Sequence, residues 1–413
     1  MVAIKQLSCL LSALSLVTAS SAARVKRDEF THEEIVQGDA LAALAEVALE
    51  ESLPTDISSA KMVRRTFGGS CNARNVKIRR EWRTLSKSQR KNYIAAVKCM
   101  QNKPSLLAPG VAPASKSLFD DFVVIHYQQT IFIHNTGNFL TWHRYYTHVY
   151  EQHLKACGYT GTAPYWEWSL DVNNPAASPV FDGSDTSLGG NGAYFPHEGL
   201  ILSEPPLADT APLLIPLPAG NGGGCVTTGP FGNMTVNIGA AALGTYGSTA
   251  SYAAPDPLGL GNSRCLKRDL NSGIAKKYNT FYNSTSLILN YNNIEQFQGH
   301  MQGDPRIVRG QMGVHGGGHF IIGGDPGGDP FISPGDPAFF LHHGQIDRLY
   351  WIWQALDFPN RQNVHGSNVF MDLFPSANTT LDDIIDISPL APPVKIRDMM
   401  NTLGGSPLCY VYL

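Results

Sequence analysis

Hydrophobic positions recur at helical spacing in the first hundred or so residues of the chain, in two stretches. Each stretch begins with a capping box, Thr31 with Glu34 and Ser86 with Gln89. In such a pair the two side chains bond to each other's backbone N–H groups at the start of a helix. The pattern therefore predicts one helix from Thr31 to about residue 51 and another from Ser86 to about residue 100.

Residues 118–127 and 138–157 continue the helical pattern, and Gly137 interrupts it, which places His134 on a connecting loop. Residues 173–262 show no regular period. They are rich in Gly, Pro, Ser, Thr and Ala and have few charges. This stretch is too apolar for a disordered linker and too broken for helices, so we expect one long surface excursion with a few short strands.

Helical character returns over residues 269–278, and a mixed region leads to a histidine-rich helical stretch over residues 313–353. One short helix is predicted over residues 394–402. The chain contains no internal repeat and no linker that would divide it. These patterns predict a mainly α fold with long irregular loops and a few short strands, in a single domain over residues 28–413.

The composition is that of a soluble globular protein. Of 413 residues, 43% are hydrophobic and 16% are charged, and the net charge is −3. A slightly acidic chain gives no indication of a nucleic-acid partner. The numbers of glycine (40) and proline (27) agree with long irregular connections.

The first 27 residues have the parts of a secretory signal and a short pro-segment. Lys5 supplies the positive start, residues 7–17 the apolar core and residues 19–22 the small side chains of a cleavage site. Lys26 and Arg27 then form a dibasic pair of the kind that processing proteases cut. A membrane anchor needs a longer apolar run, and no other stretch has one. We therefore expect a secreted protein with no membrane partner.

Cysteine usage agrees with an oxidising compartment. Of seven cysteines, Cys9 lies in the signal, and the six others suffice for three disulfides whose pairing stays open. Free buried thiols are an alternative for Cys99 and Cys157, which lie in apolar helical patterns. Asn-x-Ser/Thr triplets predict N-glycosylation at Asn233, Asn283 and Asn378. The six cysteines are Cys71, Cys99, Cys157, Cys225, Cys265 and Cys409.

The histidine-rich stretch carries the chemistry. His315 and His319 are four residues apart and so lie on one face of a helix. A second helical pattern, for which Asp336 is a candidate N-cap, carries the adjacent pair His342 and His343. Two imidazoles on one face and a third from a neighbouring helix can enclose a metal that prefers nitrogen ligands.

Three glycines separate the first two of these histidines: Gly316, Gly317 and Gly318. Glycine inside a helix costs about 0.8–1 kcal/mol relative to alanine. Something other than helix propensity must therefore hold this turn, and a metal that bridges its two ends would do so.

Six of the 13 histidines lie at positions where they are candidate metal ligands. A lone histidine on an apolar helix is more often a hydrogen-bonded core residue, and this interpretation fits His148 and His153. It fits poorly for two separate sets of three, because unpaired imidazoles are costly to bury among aromatic side chains. The first set is His126, His134 and His143, and the second is His315, His319 and His343.

The motifs FLTWHRYY, PYWEW, HGGGHF and DPAFFLHHGQIDRLYW resemble the type-3 copper proteins, which include tyrosinases, catechol oxidases and the molluscan hemocyanin units. The resemblance runs in matching order from about Cys71 to the C-terminus, and the segment around residues 79–99 resembles fungal tyrosinases. It implies a four-helix bundle that holds two copper ions, with O₂ as co-substrate. It also implies that His126, His134 and His143 bind copper A and that His315, His319 and His343 bind copper B.

Between His342 and His343 the family pattern favours the second as a ligand. Asp347 follows four residues later on the same helical face, so it is a candidate partner for that imidazole. Two other enzyme classes fit the HGGGH motif poorly. A lipase-like hydrolase needs a GxSxG elbow, and a zinc protease needs the glutamate of HExxH; the sequence has neither.

An oxygen carrier of this family has the same copper pair with its entrance covered. In longer relatives a C-terminal domain shields the pocket and follows a Tyr-x-Tyr segment. Here Tyr410 and Tyr412 form that segment at the end of the chain. We therefore expect an enzyme without a shielding domain, acting on a small phenolic substrate, rather than a hemocyanin-like O₂ carrier.

Departures from the family pattern shape the expected reaction. Many tyrosinases have Asn or Asp directly after the first copper B histidine, where it is proposed to orient a water that deprotonates a monophenol. This chain has Gly316 there, which alternatively only relieves crowding between two helices. Phe132 stands where many relatives have a cysteine bonded to a ligand histidine, and Gln345 where many have Asn. Phe339, in the same helix, fits core packing better than substrate contact.

The sequence thus predicts a catechol oxidase that converts o-diphenols to o-quinones with O₂ and hydroxylates monophenols weakly or not at all. A full tyrosinase, an o-aminophenol oxidase and an O₂ carrier are the alternatives. The natural substrate and the oligomeric state stay open.

Overall fold

The computed structural model describes residues 29–53, 69–204 and 211–413, and it begins with two short helices where the pattern predicts one. The capping box of Thr31 and Glu34 is present and opens α1 (His32–Gln37). Gly38 then adopts a left-handed conformation, with φ of 99°, and separates α1 from α2 (Asp39–Ser52). Glycine takes this conformation at no steric cost, so the helix divides there. The predicted signal and pro-segment lie outside the described residues.

The second predicted capping box is also present. A short strand, β1 (Lys77–Arg79), precedes it. Ser86 accepts from the Gln89 N–H and the Gln89 side chain accepts from the Ser86 N–H, which opens α3 (Lys87–Asn102). The helix ends two residues later than predicted.

Two long helices form the first half of the bundle. α4 (Leu118–Ile133) continues beyond the predicted end, and α5 (Phe139–Ala156) matches the prediction closely. His134 caps the C-terminus of α4 with an extended backbone, so it lies on the connection, as predicted.

The stretch over residues 173–262 is the irregular excursion that its composition predicts. Its strands form antiparallel pairs of two strands each: β2 with β5, β3 with β4, β6 with β9 and β7 with β8. The strands are β2 (Gly192–Tyr194), β3 (Leu200–Glu204), β4 (Leu213–Leu217), β5 (Gly223–Val226), β6 (Thr235–Val236), β7 (Leu243–Gly244), β8 (Ser251–Tyr252) and β9 (Arg264–Cys265).

Three helices follow the excursion, and the sequence pattern predicts only the first. α6 (Ser272–Tyr278) was expected, whereas α7 (Phe281–Asn290) and α8 (Ile294–Gln302) lie in the region that looked mixed. Thr280 and Asn293 cap the two missed helices through their side chains. Both helices are short, so the cap residues are their clearest local signal.

The histidine-rich stretch forms α9 (Gly313–Ile322) and α10 (Ala338–Ala355). Asp336 caps α10 as predicted, because its Oδ1 accepts from the Ala338 N–H at 2.9 Å. The same carboxylate accepts two hydrogen bonds of 2.7 Å from Arg268, which anchors the start of α10 to the end of the excursion. Such a bidentate pair is geometrically specific.

The four helices α4, α5, α9 and α10 pack into a bundle, which confirms the predicted mainly α fold. α10 is its central member, since nearly every side chain from Ala338 to Gln354 is buried. Large aromatic side chains fill the space around it, and Phe340 stacks on Tyr150 with ring centroids 3.4 Å apart. None of the helices in the described part of the chain is long and apolar enough to cross a membrane.

The C-terminal segment returns to the start of the domain. β10 (Ile384–Ile385) and β11 (Val394–Lys395) pair with each other, and a short 3₁₀ turn follows where a helix was predicted. β12 (Tyr410–Tyr412) then pairs in parallel with β1.

The six cysteines form three disulfides, so the alternative of free thiols at Cys99 and Cys157 is excluded. Cys99 pairs with Cys157 and joins the end of α3 to the end of α5. The other bonds join Cys71 to Cys409 and Cys225 to Cys265. One disulfide therefore connects the two ends of the described domain, across 338 residues.

Candidate metal centre

The histidines of α4 and α5 form the first candidate metal site, which we call set A: His126, His134 and His143. Their ring centroids lie 5.0–5.7 Å apart, and their ligand nitrogens lie within 4.8 Å of one another. Each Nδ1 lies 2.8–2.9 Å from a backbone carbonyl oxygen, those of Phe331, Thr130 and Phe139 respectively. A carbonyl can only accept, so each Nδ1 carries the proton and each Nε2 keeps a free lone pair.

Set B comprises His315 and His319 on α9 and His343 on α10. The Nε2 of His319 lies 3.2 Å from that of His315 and 3.3 Å from that of His343. The neighbouring His342 is close enough to count as a possible fourth member. Its ring, however, lies against Gly318 and Trp168, whereas the ring of His343 lies parallel to His143, with centroids 4.5 Å apart. Both rings also lie beside that of His319, with centroids 5.3 Å away for His343 and 4.6 Å away for His342.

The two sets face each other across the bundle. Besides the stacked pair of His143 and His343, the rings of His134 and His315 lie 5.8 Å apart at an interplanar angle of 28°. Four members of the two sets are buried, and only His134 and His319 are half-exposed. The paired sets therefore open toward solvent beside these two residues.

Burial keeps all six imidazoles neutral at pH 7. It lowers the pKa of His134 to about 4, and it lowers the pKa of each of the other five well below its ordinary value. Neighbouring imidazoles lower most of these pKa values further, because a second positive charge would be repelled. Neutral imidazole is the form that binds a metal.

The buried nitrogens provide a test of whether a metal fits. The Nε2 atoms of His126 and His143 are buried without a hydrogen-bond partner among the described residues. Buried polar atoms are nearly always paired, so each needs a partner that the polypeptide does not supply. Six neutral imidazoles without a thiolate suit copper. The residues present thus fit the copper pair.

The three consecutive glycines of α9 have different surroundings. A Cβ on Gly317 would overlap the Asn279 side chain, and one on Gly318 would overlap the ring of His342. A Cβ on Gly316 would meet only the side chain of Met312, on its own helix, at 3.0 Å. Close packing between helices therefore requires Gly317 and Gly318. The interpretation that Gly316 relieves crowding between helices is wrong.

Asp347 does not contact His343, so the expectation that it supports this imidazole is wrong. Its position one turn further along α10 places it among arginines and tyrosines of other segments. Burial opposes its ionisation, but Arg144 and Arg79 outweigh this and lower the pKa of Asp347. Its carboxylate accepts from Arg144 at 2.6 Å, Tyr410 at 2.6 Å, Tyr412 at 2.5 Å and Arg79 at 3.3 Å.

On α10, Phe339 precedes His343 by four residues and Gln345 follows it by two. Phe339 is 1% exposed, and its ring stacks on that of His343 with centroids 4.1 Å apart. It is thus a core residue that forms the wall of the metal centre. Gln345 donates to the carboxylate of Glu167 at 2.8 Å, which also accepts from Arg348 at 3.0 Å. Gln345, Glu167 and Arg348 thus form a buried hydrogen-bond network.

Sequence patterns did not indicate the backbone partners of set A. The carbonyl groups of Thr130 and Phe139 lie four residues before His134 and His143, so a local pattern could have suggested them. Phe331 is 205 residues from His126, and only the fold brings them together. The cysteine-to-histidine bond of many relatives is not expected here, because Phe132 stands at the cysteine position, and its side chain is exposed beside Phe374.

Comparison with known proteins agrees with this centre. A family model, the common central domain of tyrosinase, matches residues 116–356. Tyrosinase P of Aspergillus terreus is 39% identical over 340 residues, which cover 81% of this chain and 91% of that protein. The N-acetyl-6-hydroxytryptophan oxidase ivoB of Emericella nidulans is 34% identical over 360 residues, covering 83% and 93%.

A solved structure gives the same result for the fold. A mutant polyphenol oxidase from Thermothelomyces thermophila superposes with a TM-score of 0.81 at 39% identity, and the match covers 92% of this chain and 100% of that one. The residues that the family model matches include the helices that carry both histidine sets. The chain therefore belongs to the tyrosinase family and is a type-3, tyrosinase-type copper oxidase.

Proposed function

We propose that set A and set B each hold one copper ion and that the pair oxidises o-diphenols to o-quinones with O₂. The observation that carries this proposal is the convergence of the ligand nitrogens. Each set brings its nitrogens within 4.8 Å of one another, and the stacked rings of His143 and His343 join the sets. Imidazoles fixed at this spacing leave room for a metal in each set and for a small molecule beside both.

Bound copper would supply the exchange of electrons between the phenol and O₂. Two o-diphenols give up four electrons and four protons, and one O₂ takes them up to form two waters. The protein's own residues orient the ligands and exclude water. The carbonyl groups beside set A hold each imidazole in one tautomer, and Phe339 covers His343 on its apolar side.

The residue after His315 supports a preference for o-diphenols. Gly316 has no side chain that could orient a water next to the copper B site. The nearest acidic side chain before it, Asp304, is buried and bonded to Arg306 through both of its oxygens. Neither Gly316 nor Asp304 therefore offers a free base to remove the proton of a monophenol, so we expect weak hydroxylation or none.

The name of one relative bears on the substrate class more broadly. The name N-acetyl-6-hydroxytryptophan oxidase states that this relative acts on an aromatic ring with one hydroxyl group, so it does not itself support a preference for o-diphenols. We propose from it only that the present chain oxidises hydroxylated aromatic rings.

We also propose that the protein is secreted as a single domain over residues 28–413. The three disulfides are compatible with an oxidising compartment. Asn233 and Asn378 are exposed and accessible to glycosylation. Asn283 is half-buried, and its side chain accepts from Thr280 at the start of α7, so it is the least accessible of the three.

Oxygen uptake with a matched pair of substrates tests the reaction. Copper-loaded protein is given 4-methylcatechol or p-cresol, which differ only by one hydroxyl group. We expect rapid uptake with the catechol and a rate about 10²-fold lower with the monophenol, since a positioned base contributes at least that factor. Equal rates would contradict the argument from Gly316 but not the copper oxidase. Reversible O₂ binding without quinone would instead indicate a carrier.

The variant Gly316→Asn sharpens the test. A Cβ at this position meets only Met312, which must move by a few tenths of an ångström, so we expect the fold to tolerate the change. We expect hydroxylation of p-cresol to increase while the rate with 4-methylcatechol changes little. Gly316→Ala is the matched control, because it adds a Cβ without a polar group. An equal gain in both variants would show that water orientation is not the cause.

A further inference from the structure

Left-handed backbone at non-glycine residues is concentrated at one place in the described chain. Four such residues occur: Asn135, Asn233, Met371 and Asp372, with φ of 48°, 62°, 49° and 57°. Three of them meet, because the Met371 N–H points to the carbonyl of Asn135 at 3.4 Å and Asp372 follows directly. Asn and Asp adopt this conformation more readily than other residues with a Cβ, whereas Met371 does so only where its surroundings enforce it.

Arg306 is the residue that joins these segments. Its Nη2 donates to the carbonyl of Asn135 at 2.8 Å, and its Nη1 donates to Asp372 at 2.5 Å. The guanidinium is itself held by Asp304, which accepts from Nε at 3.0 Å and from Nη2 at 2.6 Å. The planar group thus contacts three separate segments, an arrangement that a single ammonium cannot reproduce.

Asn135 directly follows His134, the only member of set A outside a regular helix. His126 and His143 lie inside α4 and α5, whose backbone ladders hold them. His134 caps α4 with an extended backbone and depends on the turn that follows it. Both polar backbone groups of that turn are occupied, since the Asn135 N–H donates to Gln302 at 2.8 Å and its carbonyl accepts from Arg306.

We propose that Arg306 is a positioning residue for copper A. It holds the left-handed turn at Asn135 and thereby orients the imidazole of His134, without touching metal or substrate. This inference rests on the proposed function, in which His134 binds copper. It adds to copper A an outer contact from the loop that precedes α9 in the chain.

The test compares Arg306→Gln with Arg309→Gln, which removes a positive charge from the same loop at a residue paired with Glu204. A Cu(I) chelator is added to reduced, copper-loaded protein, and the rate of copper release is measured. In Arg306→Gln we expect one of the two coppers to leave about tenfold faster, in the range typical for lost outer contacts, and the other at the normal rate. In Arg309→Gln both should leave at the normal rate.

Kinetics and a second substitution separate positioning from a general charge effect. The kcat for 4-methylcatechol should fall in Arg306→Gln with little change in KM, and Arg306→Lys should recover part of the loss. Glycine adopts left-handed backbone freely, so Asn135→Gly should restore slow release in the Arg306→Gln background. Absence of this rescue would overturn the positioning role.

The outcomes distinguish this inference from the proposed function. Wild-type protein that binds fewer than two coppers would contradict the proposed function itself. Two bound coppers with unchanged release from Arg306→Gln would contradict only the role of Arg306. If Arg306→Gln does not fold, Arg306→Lys decides, since wild-type release from that variant would overturn the inference equally.

Discussion

The two halves of the metal centre are supported differently. In set A, every Nδ1 has a backbone carbonyl as its partner, and two of these carbonyls lie four residues earlier in the chain. In set B, the Nε2 atom of His319 is crowded between those of His315 and His343 at 3.2–3.3 Å, and the Nδ1 of His343 is buried without a partner among the described residues. The polypeptide thus fixes the orientation of the imidazoles in set A, whereas it only brings the imidazoles of set B close together.

This difference indicates which of the two histidine sets depends more on its metal. Three neutral imidazoles whose Nε2 atoms converge repel through their lone pairs unless a cation lies between them. The helix that carries two of them also contains four glycines, which weaken it. We therefore expect set A to keep its arrangement without metal, and set B and α9 to gain more order when copper binds.

Removing one ligand from either set should have the largest effect. In both His143→Asn and His319→Asn we expect the oxidation of 4-methylcatechol to be lost and the copper content to fall from two to one per chain, measured by oxygen uptake and metal analysis. The copper-free variants should differ. His143→Asn loses a buried hydrogen bond worth about 1 kcal/mol, whereas His319→Asn relieves the crowding of set B.

Denaturation of the copper-free variants tests the difference between set A and set B most directly. Relative to copper-free wild type, His143→Asn should unfold at lower denaturant concentration and His319→Asn at an equal or higher one. The reverse order would show that set B is the half that the polypeptide orients.

Removal of copper should have a smaller, regional effect. A metal present at about 100 times its dissociation constant stabilises the folded state by about 2.7 kcal/mol, and this is lost when it is removed. We expect amide hydrogen exchange to increase in α9 and much less in α4, as measured by mass spectrometry of peptides from residues 313–322 and 118–133. Equal increases in both helices would contradict the difference between the sets.

Alanine at the glycines of α9 should have the smallest effects. Gly318→Ala places a Cβ on the ring of His342, and overpacking of this kind costs about 1–3 kcal/mol. Gly316→Ala gains helix propensity of up to about 1 kcal/mol, which the close contact with Met312 offsets in part. Urea denaturation of the two variants should therefore separate them, with Gly318→Ala the less stable. Equal stabilities would mean that α9 repacks freely.

Local sequence signals predicted much of the fold. The capping boxes at Thr31 and Ser86 are present, as is the Asp336 cap of α10. The two short helices α7 and α8 were not predicted, because the helical pattern of their residues is weak and the region looked mixed. Gly38 divides a helix whose apolar pattern continues across it, since a periodic pattern does not report a left-handed residue.

For the metal centre, the sequence by itself determined which residue types are available and at what spacing, because the four-residue interval of His315 and His319 follows from the period of a helix. The tertiary structure alone decided how these side chains are supported. It placed the Phe331 carbonyl beside His126, turned Asp347 away from His343 and brought Arg306 to Asn135. These contacts join residues that are far apart in the chain, and hydrophobic spacing contains no information about such pairs.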